Sequence, residues 1–392
     1  MRNGWLVGLM VGACWVGQAW AQGEQWLQYR WSRMGEADYG GGSYQKLELV
    51  GVRPAGVGLP EFKSSEPLFA KWTSPLARNG YLWLALDRSR KNGPYDRLYI
   101  DANDDGQLSD EPAITPFESS RDYSQFGPVR VVFAGEEGPI TYHLNVDCQR
   151  SGPERRDLYA RSAGWYEGQI TVAGAGKKCV LIDYNVNGTF NDKSSSGAVA
   201  DRIVVGKEKG PTASAFVGNF LEVEGKLYRP EIARDGAFVK IAPASDVAFG
   251  AVRLPEGIGE FTAVGENGLF RRQPEGGITR LPVGQYAPYG WASQKKDIPG
   301  KKWKLEGSRF REGAGVFQVG AGLEASVTVG EPVKSVLAVQ HRGKTHLFSQ
   351  RLEGKYGESI DLTCGGNRPP APRLHIKNRD GSYDRAFSFE YG

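Results

Sequence analysis

The chain has 392 residues, of which 40% are hydrophobic, and its 49 basic and 45 acidic side chains leave a net charge of +4. A balance this close argues against a nucleic-acid partner, because nucleic-acid-binding domains normally carry a concentrated basic face. Beyond the N-terminal segment, no run of about 18 uninterrupted apolar residues occurs, so the sequence predicts no membrane span there. With 53 glycines and many aromatic side chains, the composition is typical of short strands joined by turns, and we expect an all-β fold.

The N-terminal segment has the layout of a secretory signal peptide. Arg2 precedes an apolar stretch at 5–16, and an Ala-Trp-Ala sequence at 19–21 supplies the small-residue cleavage pattern. We therefore expect a secreted or periplasmic mature chain that begins at Gln22. A less favoured alternative is lipidation of Cys14, since the sequence that ends there resembles a bacterial lipobox but no polar tether follows it.

Two segments, 98–110 and 180–192, share one pattern at a spacing of 82 residues. Each begins within a short run typical of a strand. It then places oxygen-bearing side chains at alternate positions, with a glycine directly after the third of them. Calcium takes six to eight oxygen ligands at about 2.3–2.6 Å, and this spacing lets a short backbone wrap that shell. The sequence therefore predicts two calcium loops, the first with Asp101, Asn103, Asp105, the Gln107 carbonyl, Asp110 and Glu111, the second with Asp183, Asn185, Asn187, the Thr189 carbonyl and Asp192.

Both loops lack the position-12 glutamate of an EF-hand, because Pro112 and Ser194 stand there. They resemble the EF-hand-like (dockerin-type) loops of secreted bacterial proteins, and this resemblance implies calcium in a loop that is flanked here by strands. The alternative is a pair of polar β-turns, for which Asn, Asp and Gly are the expected residues. The repetition favours metal, and the second loop, with fewer carboxylates, should bind more weakly. An affinity on the order of 10⁻⁴ to 10⁻³ M would give calcium a structural role.

Three cysteines follow Gln22, and two of them are candidates for a disulfide. In an oxidising compartment a Cys148–Cys179 bridge would close a span of 31 residues and contribute about 3–4 kcal/mol in the chain-entropy treatment. Cys364 would then be left unpaired. No two cysteines have the close spacing that zinc sites use.

The chain divides into several consecutive units that we expect to be antiparallel and β-sandwich-like. The sequence Leu-Pro-Val-Gly-Gln-Tyr at 281–286 resembles a turn of prealbumin-like and carboxypeptidase-regulatory-like β-sandwiches. The predicted division is a signal peptide at 1–21, a β unit with the first calcium loop at 22–122, a β unit with the second at 123–245, a prealbumin-like β unit at 246–308 and an Ig-like β-sandwich at 309–392.

Several common catalytic signatures are missing: the sequence has no Gly-x-Ser-x-Gly, no His-Glu-x-x-His and no complete phosphate loop. Glu167, Glu222 and Glu231 could converge as a glycosidase pair, but a polar sheet face explains them more simply. The sequence thus predicts a secreted calcium-binding structural or binding protein, not an enzyme. The alternatives are a carbohydrate-active enzyme or a glycan-binding module of the envelope or extracellular space. The expected partner is calcium, with a polysaccharide or another envelope protein left open.

Overall fold

The computed structural model describes residues 23–34, 44–136, 138–152, 155–206, 214–296 and 300–391. The predicted signal peptide and Cys14 lie outside these ranges. Inside them the chain forms strands, turns and irregular segments and has no helix, which confirms the all-β prediction. Accordingly, no described helix is long and apolar enough to cross a membrane.

The strands up to residue 243 form four antiparallel sheets, ordered β4-β5-β6, β3-β10-β9-β8-β7, β14-β13-β12-β11-β2 and β1-β17-β16-β15. Their bounds are β1 (Gln25–Trp26), β2 (Gln28–Trp31), β3 (Gln45–Leu47), β4 (Leu68–Thr73), β5 (Tyr81–Asp87), β6 (Arg97–Ile100), β7 (Glu118–Ser119), β8 (Tyr123–Gly135), β9 (Gly138–Arg150), β10 (Arg156–Ser162), β11 (Gly164–Val172), β12 (Ala175–Ile182), β13 (Arg202–Val205), β14 (Ala215–Phe216), β15 (Leu221–Val223), β16 (Lys226–Ile232) and β17 (Phe238–Pro243).

The strands after residue 243 form a three-stranded sheet, β21-β18-β25, an eight-stranded sheet, β20-β19-β22-β23-β28-β27-β26 with β24 also paired to β22, and a separate β29-β30 hairpin. The β18–β25 pair is parallel. The bounds are β18 (Phe249–Arg253), β19 (Ile258–Gly265), β20 (Gly268–Arg272), β21 (Ile278–Pro282), β22 (Gly284–Lys296), β23 (Lys302–Ser308), β24 (Phe317–Val319), β25 (Glu324–Ser326), β26 (Lys334–Arg342), β27 (Thr345–Glu353), β28 (Ser359–Cys364), β29 (Arg373–Lys377) and β30 (Asp384–Ser388).

The two strands that lead into the predicted calcium loops end directly before each loop's first aspartate. In β6 the last three residues are buried, and in β12 the last four are buried. Burial on both faces of a strand is expected when both faces meet other apolar layers. Because each strand is still buried at its end, the first aspartate of each loop is also buried.

One core is shared by the first four sheets. Trp72 of β4 stacks on Tyr142 of β9, with ring centroids 5.6 Å apart, and Phe190 packs on Tyr142 at 6.2 Å. The predicted boundary at 122/123 therefore runs through this core. The boundary at 308/309 runs through the eight-stranded sheet, because β23 pairs with β28. As a division into related sequence units, the four-unit scheme stays a prediction.

The disulfide predicted between Cys148 and Cys179 is not formed in the structure, where both side chains are buried free thiols. The strand register shows what lies beside each cysteine instead. Cys148 is in β9, opposite Leu158 of β10, whereas Cys179 is in β12, opposite Gly168 of β11. The two thiols thus belong to different sheets of the shared core and fill it as small apolar groups.

Candidate metal site

The first loop folds around the carboxylate of Asp101. Its Oδ1 accepts the backbone N–H of Asp105 at 3.0 Å, and its Oδ2 accepts that of Gly106 at 3.0 Å. Oδ1 of Asn103 accepts the Asp105 N–H at 3.2 Å, and Oδ1 of Asp105 accepts the N–H of Gln107 at 2.8 Å. Side chains at loop positions 1, 3 and 5 thus satisfy the backbone of one tight turn, which Gly106 completes with a φ of 83°.

The second loop repeats this arrangement bond by bond. Oδ1 of Asp183 accepts the N–H of Asn187 at 3.2 Å, and Oδ2 accepts that of Gly188 at 2.6 Å. Oδ1 of Asn185 accepts the Asn187 N–H at 3.2 Å, and Oδ1 of Asn187 accepts the N–H of Thr189 at 2.9 Å. Gly188 has a φ of 92°. The sequence repeat is therefore also a repeat of conformation.

The residue at position 4 of each loop has a left-handed backbone conformation and forms a hydrogen bond with a residue outside the loop. Asp104 and Val186 both have a φ of 57°. The Asp104 carboxylate accepts the N–H of Arg78 at 2.9 Å, and the Val186 carbonyl accepts Nε1 of Trp72 at 2.7 Å. A β-branched residue rarely adopts this backbone, so burial of the Val186 side chain must hold it there.

Both loops lie against the turn that joins β4 to β5. A Cβ built on Gly106 would be 3.6 Å from Nδ2 of Asn79, and one built on Gly188 would be 3.1 Å from Oγ of Ser74. Both side chains belong to the seven-residue segment 74–80 between the two strands. The two loops, although 82 residues apart in sequence, therefore both lie next to the segment 74–80.

The first loop concentrates negative charge. Five carboxylates occur within 101–111, and Nδ2 of Asn103 lies 3.2 Å from oxygens of both Asp105 and Asp110. Burial raises the pKa of Asp101 to about 6, and the Asp105 and Asp104 charges add to it, while N–H donors act against it. Burial also raises the pKa of Glu111, with a smaller contribution from Asp110. A cation among these oxygens would relieve the crowding.

The second loop satisfies its acidic side chain with neutral donors. Oδ2 of Asp192 accepts Nδ2 of Asn185 at 2.9 Å, Nδ2 of Asn187 at 2.7 Å and Oγ1 of Thr189 at 2.9 Å. These donors do locally what a cation would do in the first loop. The weaker calcium binding expected of the second loop stays a prediction.

Sequence reasoning missed one residue of the second loop. Oδ1 of Asp201 accepts the N–H of Tyr184 at 3.0 Å, and its Oδ2 accepts that of Asp192 at 2.8 Å. In the first loop, Oε1 of Glu111 accepts the equivalent N–H, that of Ala102, at 2.6 Å. Asp201 thus replaces Glu111 from a distant point of the chain. The available signal was a lone acid directly before the apolar strand β13.

Asp201 and Asp183 are both buried, and burial dominates their electrostatics. Burial raises the pKa of Asp183 to about 7, against the effect of its N–H and Tyr142 hydroxyl donors. Burial raises the pKa of Asp201 well above its usual range, with the charge of Asp183 adding to it. Because both pKa values are raised, the two carboxyl groups together carry less negative charge than two exposed carboxyl groups would.

No family model, curated protein or solved structure matches this chain. The calcium hypothesis therefore depends on the residues and geometry of the two loops. Within the described ranges, no group of three or more His, Cys, Asp or Glu side chains is arranged to hold a metal ion. Calcium also takes amide and carbonyl oxygens, and three of the predicted ligands are asparagines, two of them in the second loop. The predicted carboxylate ligands of the first loop are not brought together as such a group in the described structure. The ligand set contains oxygen alone, which suits calcium better than a transition metal.

Proposed function

We propose that this chain is a calcium-binding structural or binding protein without catalysis, secreted through the segment 1–21. The observation that carries the proposal is the same hydrogen-bond pattern in two loops 82 residues apart that follow strands of different sheets. Two unrelated polar turns would not be expected to share all four of the bonds between backbone N–H groups and loop side chains. The dockerin-type resemblance of the sequence supports the same conclusion.

Calcium would act through linkage to folding. An ion that binds only the folded state stabilises it by RT ln(1 + [Ca]/Kd), about 1 kcal/mol per site at millimolar calcium and a Kd of a few tenths millimolar. Extracellular calcium reaches this range in the secreted location that we propose. The first loop should supply most of the effect, since it gathers more carboxylates than the second.

The described surface supports a binding role over glycoside hydrolysis. An open cleft of about 810 Å³ has one carboxylate in its lining, Glu312, whereas hydrolysis normally uses two. The three glutamates on β11, β15 and β16 each form an ion pair: Glu167 with Lys178, Glu222 with Arg272 and Glu231 with Lys240. Carboxylates held in this way are poor candidates for a catalytic acid.

The same cleft supports a second candidate function, that of a glycan-binding module. Tyr44 and Tyr289 line it and are exposed, and Tyr184 lines it as well. Aromatic rings at an open surface can stack on sugar rings while their hydroxyls form hydrogen bonds. The volume of the cleft is in the usual range for ligand sites.

Thermal unfolding in calcium and in chelator tests the primary proposal. We expect calcium to raise the Tm of the wild type, by about 2 °C or more, and most of this shift to be lost in Asp105→Ala. Asn187→Ala should lose a smaller part. Asp380→Ala is the matched control, because Asp380 is exposed in the Asn-Arg-Asp-Gly turn of the β29-β30 hairpin and accepts the N–H of Ser382 at 2.9 Å.

Two results would contradict the proposal. An unchanged wild-type Tm at millimolar calcium would exclude a stabilising site. A shift that survives in both Asp105→Ala and Asn187→Ala would place the ion elsewhere. A glycan array with the same protein and a Tyr289→Ala variant tests the second candidate separately.

A further inference from the structure

The β26-β27 hairpin projects from the eight-stranded sheet. Its strands pair with each other over their full length, from Lys334 opposite Glu353 to the turn at 343–344. By contrast, β27 pairs with β28 through a single pair, Glu353 opposite Ser359. Most of this hairpin therefore depends on interactions between its own two strands. An isolated two-stranded hairpin is only marginally stable in water.

Two histidines face each other across this hairpin, beside the turn. His341 of β26 and His346 of β27 are directly opposite in the register, and both are exposed. Their Nδ1 atoms are 2.7 Å apart, and their ring planes make an angle of 88° with centroids separated by 4.7 Å. Two imidazole nitrogens at this distance can share one proton, or both can bind one metal ion.

The nitrogen separation can be compared with what each coordination geometry needs. At metal–nitrogen distances of about 2.0–2.1 Å, two nitrogens lie about 2.9 Å apart at a right angle and about 3.3 Å apart at the tetrahedral angle. The observed 2.7 Å requires a small opening for the first geometry and a larger one for the second. Square-planar and tetragonal sites with nitrogen and oxygen ligands are typical of Cu²⁺ and Ni²⁺, whereas zinc prefers a tetrahedron.

We propose that His341 and His346 form a two-imidazole site for a divalent copper ion, with water in the remaining positions. The ion would join the two strands close to their turn, where the hairpin lacks support from the rest of the sheet. This site is independent of the calcium loops, because those offer oxygen ligands and the hairpin offers nitrogen. The proposal therefore does not depend on the function proposed above.

The other described histidines provide the controls. His375 is exposed but hydrogen-bonds to Asp384, and His143 is buried. His375→Ala thus removes an exposed imidazole without touching the pair. Because His341 and His346 are both on the surface, their substitution by alanine should leave the fold intact.

Isothermal titration of the whole mature chain with Cu²⁺, in calcium sufficient to fill the loops, tests the site. We expect one copper per chain, at least tenfold weaker binding in His341→Ala and in His346→Ala, and a change below twofold in His375→Ala. Zn²⁺ should bind at least tenfold more weakly than Cu²⁺. Electron paramagnetic resonance of the 1:1 complex should show two equivalent nitrogen ligands.

Hydrogen exchange tests the structural consequence. Copper should slow exchange of the β26 and β27 amides in the wild type and have no such effect in His346→Ala. Equal copper affinity in the wild type and both pair variants would overturn the proposal. So would a loss of affinity in His375→Ala as large as that in His341→Ala, since it would show adventitious binding to any exposed imidazole.

Discussion

The Tyr142 hydroxyl donates a hydrogen bond of 2.8 Å to Oδ2 of Asp183, and both side chains are buried in the first core. Tyr142 belongs to β9 and Asp183 follows β12, so the bond joins two sheets. Oδ2 of Asp183 also accepts the N–H of Gly188. This one oxygen therefore connects the second loop to the packing of the core.

Removal of the Tyr142 hydroxyl should destabilise the fold. In Tyr142→Phe the Asp183 carboxyl loses a buried donor, for which we expect a loss of about 1–3 kcal/mol in the free energy of unfolding. Urea unfolding in chelator measures it. The control is Tyr123→Phe, because that hydroxyl bonds to Glu118 at the surface and water can replace it. Equal effects of the two changes would show that the buried bond contributes nothing specific.

A carboxylate added to the second loop should increase the rise in Tm on calcium addition, and a carboxylate removed from the first loop should decrease it. In Asn187→Asp a new carboxylate faces Asp192, to which the Asn187 amide now donates at 2.7 Å. We expect a lower Tm in chelator and a larger rise on calcium addition than in the wild type. Asp105→Asn should show the reverse in the first loop, a smaller calcium response. A calcium shift that is unchanged in both variants would contradict a role of ligand charge.

Asp201 should matter more to stability than its counterpart Glu111. Asp201→Asn leaves one of two backbone N–H groups without an acceptor in a buried place, and we expect a loss of about 1–3 kcal/mol. Glu111→Gln keeps an acceptor for Ala102 at a partly exposed position and should cost less than about 1 kcal/mol. Urea unfolding of both variants makes the comparison, and a larger loss in Glu111→Gln would argue against the equivalence.

The sequence predicted what depends on near neighbours. A short strand-like run predicted the strand that enters each loop, observed as β6 and β12, and the spacing of oxygens predicted two loops of one conformation. Asp201 was missed because its contact with the loop depends on where β13 lies, which no local spacing encodes. The Cys148–Cys179 bridge was predicted from the compartment and the span between the cysteines, which do not encode what packs beside each thiol, and the structure has both as free thiols. The shared core was likewise invisible to a division made along the chain.

The buried thiols should be unreactive in the folded protein. Burial raises the pKa of both Cys148 and Cys179 to about 12, so the thiolate that reacts with disulfide reagents is scarce. For a chain that begins at Gln22, Ellman's reagent should label the partly exposed Cys364 in native buffer and three thiols in guanidinium. One thiol in both conditions would instead show a disulfide in the purified protein.

His143 should make stability depend on pH through its neutral form. Its ring stacks on Trp31 at 4.9 Å and on Tyr29 at 5.6 Å. Burial lowers its pKa to about 4, and the charge of Arg130 adds to this. An unfolded histidine titrates near 6.5. Between these values the unfolded chain binds more protons, so the contribution is present above about pH 6.5 and is lost as the pH falls toward 4.

A His143→Gln variant isolates this contribution from the loop carboxylates, which titrate in both proteins. The free-energy difference between wild type and variant, measured by urea unfolding in chelator, should fall between pH 7 and pH 4.5 by up to about 1.4 kcal/mol per pH unit. Parallel stability curves over this range would show that His143 is protonated as easily in the folded protein as in the unfolded chain. That result would mean water reaches the ring between Trp31 and Tyr29, and that the stack opens in solution.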